Sequence, residues 1–410
     1  MKVLIISHNP LGDGTNMGNT LQAWFRGFSS EKLAQFYIRG KAPDCNTLCQ
    51  NHYRFTDVDA LEALTGWNPV GKKNDTAVKA AYRYGRKRSA LSYLLRDILW
   101  KRDPWDTAAF WQWAERFGPD VIFLASGDHG FLYDMAAKVA ARMKKPLAVA
   151  CVDDYYLHNS WEGDRLGKLA RVRFLGSVRR AMEGAQMLFA ICPSMAREYE
   201  TLFGRKCRVL HTPANGGQAP AEEGTRDVVY LGNVSLKRRE ELIRIGKLLK
   251  KLDLPDGPKR LQVYSAEQDI QMLAGLTEEN GICFHGAVKS EKAGEILRTA
   301  LAAVHVESFN PQLRSRLRFS VSTKIPQILA QGPCLIAWGP QGIASMDYLM
   351  EHEAACVITD PTEAEETLRK LLTDAALRQT IQARGRALAA KNHSPGVLRK
   401  NLEELLENIK

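Results

Sequence analysis

Residues 302–337 read AAVHVESFNPQLRSRLRFSVSTKIPQILAQGPCLIA, which is two apolar runs joined by a helical pattern. The runs at 302–306 and 334–337 are almost continuously apolar, as is typical of parallel strands that are covered on both faces. Before the second run, Pro326 stands in the first turn of a segment with helical periodicity. A strand, a helix and a second strand in this order predict a parallel α/β sheet.

The same alternation of apolar runs and helical patterns extends through the chain. The other runs of the second half lie at 228–231, 261–264, 282–284 and 355–358, and those of the first half lie at 2–7, 35–39, 121–125, 147–152, 187–191 and 208–211. Helical patterns separate these runs, for example at 133–144 and 165–184. We therefore predict two doubly wound, Rossmann-like α/β domains.

The alternation is interrupted near residue 213, where the segment 213–220 is turn-forming and has no periodic apolar face. A chain of 410 residues exceeds the size at which a single core stops growing, so a division is expected. We predict an N-terminal domain at 1–212, a linker at 213–226, a C-terminal domain at 227–395 and a helical segment at 396–410. Because ligands of doubly wound sheets bind beyond the carboxyl ends of the strands, we expect the site in a cleft across which the domains face each other.

The net charge of +11 is unevenly distributed along the sequence. Residues 1–215 hold 31 basic and 21 acidic residues, whereas residues 216–410 hold 26 and 25. The densest segment, 82–102, has seven basic residues and one acidic residue among leucine, tyrosine and tryptophan. This pattern is typical of a helix on an anionic membrane surface, and equally of a solvated helix that packs an apolar stripe on the protein. Nucleic acid binding is disfavoured, because no aromatic nucleic-acid motif accompanies the charge.

The composition excludes several classes of protein. An apolar fraction of 45% and a charged fraction of 25% exclude a mostly disordered chain. No stretch approaches the roughly 18 apolar residues of a membrane-spanning helix, and the apolar start is too short for a signal peptide. The eight cysteines are scattered and lack the spacing of a zinc site. We expect a cytoplasmic protein with reduced thiols.

Charged residues cluster directly after the run at 302–306. Glu307 follows the predicted strand, at the sheet edge where α/β proteins present functional side chains. Arg314, Arg316 and Arg318 alternate with other residues, which in an extended segment would put the three guanidinium groups on one side.

The helix that follows has the features of an anion site. Ser322 and Thr323 precede it, and its free N–H groups point outward. Lys324 lies in the first turn, where a positive charge is unfavourable unless an anion is bound. With the neighbouring arginines, these residues predict a phosphate or diphosphate site; the alternative is a surface helix with a solvated lysine.

A second basic loop follows the run at 228–231. It reads GNVSLKRR over residues 232–239, and its cations are Lys237, Arg238 and Arg239. In a parallel sheet this loop lies at the same edge as the preceding cluster, so the two loops together are suited to binding one polyanion. The alternative is a helix start whose basic residues face solvent.

Three features of the first half are candidates for binding or catalysis. Gly12 and Gly14 follow the first run without the G-x-G-x-x-G dinucleotide spacing, and we interpret them as a flexible loop that lets a substrate approach the backbone. His129, Asp153 and Asp154 follow later runs, where each is suited to orienting or deprotonating an acceptor hydroxyl. Alternatively the aspartate pair binds a divalent metal, or these side chains cap turns.

Together these motifs resemble retaining glycosyltransferases of the GT-B fold, family 4, in particular the bacterial surface-polysaccharide branch. The resemblance covers nearly the whole chain and rests on the Gly-rich first loop and on the segments 230–236 (YLGNVSL), 284–288 (FHGAV), 306–309 (VESF), 322–332 (STKIPQILAQG) and 338–340 (WGP). In this fold the C-terminal helix crosses back to the N-terminal domain, which is what the resemblance implies for residues 396–410.

The resemblance implies a nucleotide-diphosphate sugar bound mainly by the C-terminal domain and an acceptor held mainly by the N-terminal domain. By the family pattern, Glu307 contacts sugar hydroxyls, and Lys324 with a basic residue of 237–239 binds the diphosphate. The remaining implied positions are His285, Gly286 and Val288 against the base, Asn233 in the first loop, Ser322 and Thr323 as N–H donors, and Gln327 near the ribose. Arg314 to Arg318, with Arg316 at the centre, are expected to form a mobile flap over the donor.

Three positions depart from the family pattern. Gln327 stands where an acid is common, Asn233 where many members have arginine, and Asp153 with Asp154 where a histidine is common. Two other functions therefore stay open: a nucleotide-sugar 2-epimerase, and a catalytically silent partner subunit that binds nucleotide sugars.

The predicted function is a metal-independent hexosyltransferase for surface polysaccharide synthesis. It uses no cofactor besides its donor, a UDP-, GDP- or dTDP-sugar, and transfers the sugar, with retention by analogy, to a glycan or lipid-linked acceptor at the inner membrane face. Residues 82–102 are the expected contact with the membrane.

Overall fold

The computed structural model describes residues 1–12, 16–40, 48–66, 90–125, 127–158, 165–214, 227–255 and 257–410. The chain divides into two units, Met1–His211 with Pro395–Lys410, and Thr212–Ser394. Of the predicted linker, residues 215–226 lie outside the described residues.

The first unit is built on a parallel sheet, as predicted, with seven strands among the described residues. Its order is β3-β2-β1-β4-β5-β6-β7. The strands are β1 (Val3–Ser7), β2 (Leu33–Tyr37), β3 (Asn51–Arg54), β4 (Val121–Ala125), β5 (Leu147–Cys151), β6 (Met187–Ala190) and β7 (Cys207–Val209). The helices are α1 (Asn16–Phe25), α2 (Asp57–Thr65), α3 (Ala90–Trp100), α4 (Ala108–Phe117), α5 (Gly130–Met143), α6 (Arg165–Gly184) and α7 (Pro193–Phe203).

The second unit also has a parallel sheet, with six strands in the order β10-β9-β8-β11-β12-β13 over its described residues. The strands are β8 (Val228–Leu231), β9 (Leu261–Tyr264), β10 (Ile282–Phe284), β11 (Ala302–Val306), β12 (Cys334–Trp338) and β13 (Cys356–Ile358). The helices are α8 (Arg238–Lys251), α9 (Ile270–Leu273), α10 (Ser290–Thr299), α11 (Arg314–Leu317), α12 (Lys324–Gln331), α13 (Ala344–Glu351), α14 (Ala364–Thr373) and α15 (Ala375–Asn392).

The apolar strands follow from burial on both faces of the sheet. In the second unit, Val304 and Ile336 pack with helix α8 on one face, whereas Ala303 and Leu335 pack with α12 on the other. Successive strand residues point to opposite faces, so a strand covered on both sides must be apolar throughout. The same reason explains the continuous apolar runs of the first unit.

The final helix, α16 (Pro395–Glu407), belongs to the first unit. Leu402 and Leu406 are buried in the same core cluster as Trp24 and Phe25 of α1. The Arg399 guanidinium donates to the carbonyl oxygen of Gly27 over 3.0 Å. Residues from the end of the sequence thus complete the core of the first unit.

Two elements differ from the sequence prediction. Strand β3 was not predicted, because Asn51–Arg54 reads NHYR and has neither an apolar run nor an alternation. The segment of Arg314, Arg316 and Arg318 was predicted to be extended and is instead the short helix α11. Leu317 of this helix reaches the core. The predicted arrangement of three guanidinium groups on one side is therefore wrong, because alternate residues diverge around a helix.

No helix of the described residues is long and apolar enough to cross a bilayer.

Candidate functional site

The centre of the second sheet is a topological switch point. Strands β8 and β11 are neighbours, and the chain continues outward from them in opposite directions, to β9 and β10 on one side and to β12 and β13 on the other. In doubly wound sheets the loops after two such strands separate and leave a crevice at the carboxyl ends. The loop 232–237 follows β8, and Glu307 follows β11 directly.

Arg238 connects the two sides of this switch point. Its Nε donates to the Val306 carbonyl oxygen over 2.9 Å, and its Nη1 donates to Asn233 Oδ1 over 2.9 Å. Its Nη2 donates to Glu307 Oε2 over 2.8 Å. A guanidinium has five N–H donors, so these contacts leave two of them available. The Arg238 side chain is 12% exposed, which keeps these donors near the surface.

Glu307 is fully buried beneath Arg238. Its Oε2 accepts from Arg238, whereas Oε1 has no hydrogen-bond partner among the described residues. The nearest titratable neighbour of Oε1 is His305 Nε2 at 3.7 Å, and that nitrogen is already 3.1 Å from Ser345 Oγ. Burial lowers the pKa of His305 to about 3, so the ring is neutral. Burial raises the pKa of the Glu307 carboxyl, while the Arg238 guanidinium opposes the rise.

A second buried carboxylate, Glu241 of α8, holds the loop after β11 in place. Its Oε1 accepts from the Phe309 backbone N–H over 3.3 Å, and its Oε2 accepts from the Trp338 indole over 3.1 Å. Sequence reasoning missed Glu241, since it lies within a run of charged helix residues that resembles a solvated face. Its position in the first turn of α8, one turn before Ile245 on the buried face, was the available signal.

Close backbone approach at this edge requires glycine. A Cβ on Gly339 would lie 3.0 Å from Glu307 Cβ and 3.2 Å from the Glu307 carbonyl oxygen. A Cβ on Gly232 would lie 2.8 Å from the Tyr230 hydroxyl. The glycines of GNVSLKRR and WGP therefore let the two loops pack against the strand ends.

Helix α12 begins at Lys324, as the sequence predicted. The Ser322 hydroxyl accepts from the Lys324 backbone N–H over 3.3 Å, and Thr323 occupies the N-cap position without a side-chain cap. The Lys324 side chain is exposed and makes no hydrogen bond or ion pair within the described part of the chain. Because α12 runs from the carboxyl end of β11 back to the start of β12, its N-terminus lies at the same sheet edge as Glu307. Gln327 lies in the next positions of this helix and is half-buried.

The other cations of the β8 loop are engaged differently from Arg238. Lys237 adopts a left-handed backbone conformation with φ 61°, and its Nζ lies 3.5 Å from Glu240 Oε1. Arg239 donates to the Gln271 carbonyl oxygen and, over 3.1 Å, to Glu240. Of the three candidates, Arg238 alone contacts the residue at the end of β11.

The proposed base-binding loop lies at the far end of the same edge. The ring of His285 stacks on Tyr264 with centroids 4.6 Å apart, and its Nε2 is 2.7 Å from Gln262 Oε1. The carbonyl oxygen of Gly286 accepts from the Ser265 N–H over 2.9 Å. His285 is exposed, so the stacked pair offers a flat surface at the edge of the sheet. Val288 is half-buried before α10.

The arginines of α11 are not part of the Glu307 cluster in this structure. Arg314 donates to the Gln341 carbonyl oxygen over 3.2 Å, and Arg316 is exposed. The Arg318 guanidinium lies 4.1 Å from the centroid of the Phe319 ring. The Arg318 carbonyl oxygen accepts from the Ala344 N–H over 2.8 Å, which fastens this segment to the loop after β12.

The switch point of the first sheet lies between β1 and β4, and His129 stands beside it. The His129 ring is 4.9 Å from the ring of His8, which follows β1. Its Nε2 is 2.7 Å from Arg96 Nη1, and the Tyr93 hydroxyl donates to Asp128 Oδ2 over 2.6 Å. Because a guanidinium is only a donor, His129 Nε2 accepts and the proton of the neutral ring lies on Nδ1.

Arg96 and Tyr93 lie on α3 and were missed as site residues by sequence reasoning. The sequence offered no signal beyond their place in the basic segment 82–102, of which residues 82–89 lie outside the described residues.

The other first-unit candidates have local partners. Asp154 is buried, and its Oδ1 accepts from the Leu157 N–H over 2.8 Å and from the Tyr199 hydroxyl over 2.9 Å. Asp153 Oδ1 accepts from the Asp154 N–H over 2.9 Å. These contacts are those of turn-capping residues.

The glycine loop after β1 is described in part. Gly12 has φ 67°, and its N–H donates to the Gly18 carbonyl oxygen over 3.1 Å. Gly14 lies outside the described residues. No group of three or more His, Cys, Asp or Glu side chains suited to holding a metal is found within the described ranges.

The second-unit edge combines groups that suit a polyanion carrying hydroxyls. Arg238 has N–H donors to spare, the Lys324 ammonium has no partner in the described part of the chain, and α12 presents its N-terminus. Glu307 Oε1 is an acceptor that meets no donor within the same residues. A diphosphate could accept hydrogen bonds from Arg238, Lys324 and the N-terminus of α12, and a hydroxyl group could donate to Glu307 Oε1.

A family profile matches most of the second unit and part of the final helix. Residues 239–406 match the sequence profile of the family described as Glycosyl transferase-like. The match includes Glu307 and Lys324 and begins one residue after Arg238. No curated protein matches the sequence.

Solved structures share the fold across the whole chain. Sucrose-phosphate synthase from Thermosynechococcus elongatus superposes with a TM-score of 0.62 at 12% identity, covering 100% of this chain and 99% of that one. Anabaena Alr3699/HepE, solved in complex with UDP and glucose, gives 0.62 at 12% identity and covers 100% of both chains. WaaG, a glycosyltransferase involved in lipopolysaccharide biosynthesis, gives 0.55 at 13% identity, covering 100% of this chain and 99% of that one. The fold is therefore that of GT-B glycosyltransferases.

Proposed function

We propose that this protein is a glycosyltransferase that moves a sugar from a nucleotide-diphosphate sugar to an acceptor. The observation that carries the proposal is the ion pair of Arg238 with Glu307 across the switch point, which leaves donors for a diphosphate beside an unsatisfied carboxylate oxygen. The Glycosyl transferase-like match over residues 239–406 and the GT-B fold support it. The UDP and glucose present in the structure of Alr3699/HepE support the choice of donor class.

In the proposed reaction, the protein stabilises the leaving diphosphate with fixed positive groups. Breaking the sugar–phosphate bond develops negative charge on the diphosphate oxygens. Arg238 and Lys324, together with the N-terminal N–H groups of α12, neutralise that charge at an edge that is already organised before the donor binds. These groups supply the charge that a metal ion supplies in other enzymes, and we therefore propose that transfer is metal-independent.

Glu307 is proposed to accept a hydrogen bond from a hydroxyl of the donor sugar. Because its carboxylate is enclosed in this structure, we propose that a neighbouring segment opens to let the sugar reach Oε1. The proposed flap is the segment around Arg316, on the ground of its alternating arginines in the sequence and the exposure of Arg316. Protection of this segment from protease by nucleoside diphosphate would support a flap, and unchanged cleavage would remove the idea.

The finer assignments follow from the resemblance to GT-B family 4 and are proposals throughout. They are retention of configuration, a hexose as the transferred sugar, a UDP-, GDP- or dTDP-linked donor, and a glycan or lipid-linked acceptor of surface polysaccharide synthesis. The acceptor is proposed to bind the first unit, with His129, Asp153 or Asp154 orienting its hydroxyl. A cytoplasmic location at the inner membrane face, with contact through 82–102, completes the proposal.

Donor binding and product analysis test the proposal. Thermal-shift measurements with UDP-, GDP- and dTDP-sugars, each with EDTA or Mg²⁺, are expected to single out one donor whose effect does not depend on metal. Incubation of that donor with acceptor extracts then yields a glycosylated product. Isomerised donor formed without acceptor would indicate a 2-epimerase instead. Binding without transfer, hydrolysis or isomerisation would indicate a catalytically silent partner.

A further inference from the structure

The exposed apolar side chains of this protein are concentrated on two helices of the first unit. Nine large hydrophobic residues are exposed within the described residues, and six of them lie on α3 and α6. They are 45 to 67% exposed. These six residues, which we call the α3–α6 surface, are Leu91, Leu95, Ile98, Leu166, Leu169 and Val172.

The two helices lie side by side, so the six residues form one surface. The Arg173 guanidinium of α6 donates to Asp97 Oδ2 of α3 over 2.7 Å. Asp97 precedes Ile98, and Arg173 follows Val172. Leu94, Ala170 and Phe174 of the two helices also line one pocket together with His129 and Phe131.

The charge around the α3–α6 surface is positive. Lys101, Arg102, Arg165 and Lys168 are exposed and have no ion-pair partner among the described residues. The acidic residues of the two helices are both neutralised: Asp97 pairs with Arg173, and Glu183 pairs with Arg179 over 2.7 Å. The surface therefore combines unpaired cations with exposed leucine, isoleucine and valine side chains, and the described residues of the two helices include no unpaired carboxylate.

We propose that the α3–α6 surface binds directly to the face of an anionic lipid bilayer. Apolar side chains that project from helices lying in the plane of a membrane enter the boundary between headgroups and acyl chains, while flanking lysine and arginine bind anionic headgroups. A polar partner would not explain six exposed apolar residues. A second copy of this chain would bring the same cations against each other, which is unfavourable.

This inference deepens the proposed function, because it places the enzyme where a lipid-linked acceptor would be found. It goes beyond the sequence prediction, which considered residues 82–102 alone and left open whether their apolar stripe packs on the protein. In the structure Leu94 of that stripe is buried, whereas Leu91, Leu95 and Ile98 are exposed. Helix α6, whose exposed apolar residues have the same character, had no part in that prediction.

Vesicle co-sedimentation with the full chain tests the proposal. Vesicles of phosphatidylcholine with phosphatidylglycerol are compared with vesicles of phosphatidylcholine alone, with no donor or acceptor present. We expect the wild-type protein to sediment with the anionic vesicles. The variant Leu91→Ser, Leu95→Ser, Val172→Ser is expected to bind them at least about tenfold more weakly, since each change removes apolar area from the boundary.

Two matched variants isolate the cause. Ile270→Ser with Met350→Ser removes exposed apolar residues elsewhere and should bind vesicles like the wild type. Lys101→Gln, Arg102→Gln, Lys168→Gln should lose the preference for anionic vesicles. Circular dichroism and nucleoside diphosphate affinity show that each variant is folded.

The proposal would be overturned if the wild-type protein stayed in solution with anionic vesicles, or if the α3–α6 serine variant bound them as strongly as the Ile270→Ser, Met350→Ser control. It would also be overturned if light scattering showed that the wild type is a dimer and that the α3–α6 serine variant is a monomer. A protein that binds the donor but not the vesicles would contradict the membrane proposal and leave the proposed glycosyltransferase function intact. The two proposals can therefore fail separately.

Discussion

The switch points of the two sheets hold similar residues but leave opposite groups unsatisfied. In the second unit, Glu307 Oε1 is a buried acceptor that lacks a donor among the described residues. In the first unit, Arg96 Nη2 is a buried donor that lacks an acceptor there, although Arg96 also binds Asp57 and His129 over 2.8 and 2.7 Å. An acceptor suits the hydroxyls of a sugar, and a donor suits the oxygens of an anionic or hydroxyl group. The comparison suggests that the two units recognise different parts of the reaction.

The largest effect should come from Glu307→Gln. The amide keeps the shape of the side chain and an acceptor for Arg238, but it removes the negative charge that orders the sugar hydroxyls. We expect kcat/KM to fall by about 100-fold or more, with nucleoside diphosphate affinity changed by less than about threefold. Steady-state kinetics and calorimetry measure the two quantities. Full turnover by this variant would remove Glu307 from the site.

The next effect separates Arg238 from its neighbour. Arg238→Met removes the donors that face the proposed diphosphate, and we expect the affinity for nucleoside diphosphate to fall by about 10- to 100-fold. Arg239→Met is the matched control, because Arg239 already donates to Gln271 and Glu240. Calorimetric titration of both variants gives the comparison. An equal loss of affinity in the two variants would mean that the contact with Glu307 does not identify Arg238 as the residue that binds the diphosphate.

Buried histidines should make the second unit sensitive to acid. Burial lowers the pKa of His305 to about 3 and that of His393 to about 4, from an ordinary 6.5. Below pH 6.5 the unfolded chain therefore binds more protons at these two histidines than the folded chain does. Their effect on the free energy of unfolding is absent above pH 6.5, and the free energy of unfolding declines as the pH falls toward 4 and 3. At pH 5 the loss is about 2 kcal/mol for each histidine.

Urea unfolding at pH 7 and pH 5 measures this decline. His393→Gln keeps groups able to meet Tyr348 and the Thr212 carbonyl oxygen, which contact His393 over 2.9 and 2.8 Å. Between pH 7 and pH 5 the free energy of unfolding of this variant should fall by about half as much as that of the wild type, because one of the two histidines is gone. An unchanged slope would contradict the assignment.

The smallest expected effect on the donor comes from Asp128→Asn. This change alters the partner of Tyr93 within the first unit. Donor affinity should stay within about twofold, while the acceptor KM rises by up to about tenfold, because a charge-assisted hydrogen bond is lost. A shifted donor affinity would show that the two units do not divide recognition in this way.

Much of the fold was predictable because burial on both faces imposes a sequence pattern. The bounds of the buried strands β4, β8 and β11 agree with the predicted runs. Those of β9 and of the edge strand β10 agree as well, although both are less buried, because LQVY and ICF are mostly apolar and are followed by a polar residue. Strand β3 lies at the edge of its sheet and is only partly buried, so its sequence is not constrained in the same way. Helix α11 was missed because an arginine at every second position is compatible with both a strand and a helix, and a segment of four residues is too short to show a period.

The candidate site was predictable as a location but not as a set of contacts. Glu307 and Lys324 could be identified because one follows a strand and the other begins a helix. The choice of Arg238 over Lys237 and Arg239 depends on the direction of each side chain across a separation of 69 residues from Glu307. The spacing of residues in the sequence does not show in which direction a side chain points. For the same reason the contact of Arg96 with His129 could not be predicted.

The position of α16 has a consequence for how the polypeptide is made. Leu402 and Leu406 are core residues of the first unit, yet they are translated after the entire second unit. During synthesis the surface of α1 therefore stays uncovered until residues 395–410 have been translated, and a recombinant fragment that stops at His211 would carry the same apolar gap. A fragment meant to fold as the first unit should therefore carry residues 395–410 joined to His211 by a flexible linker.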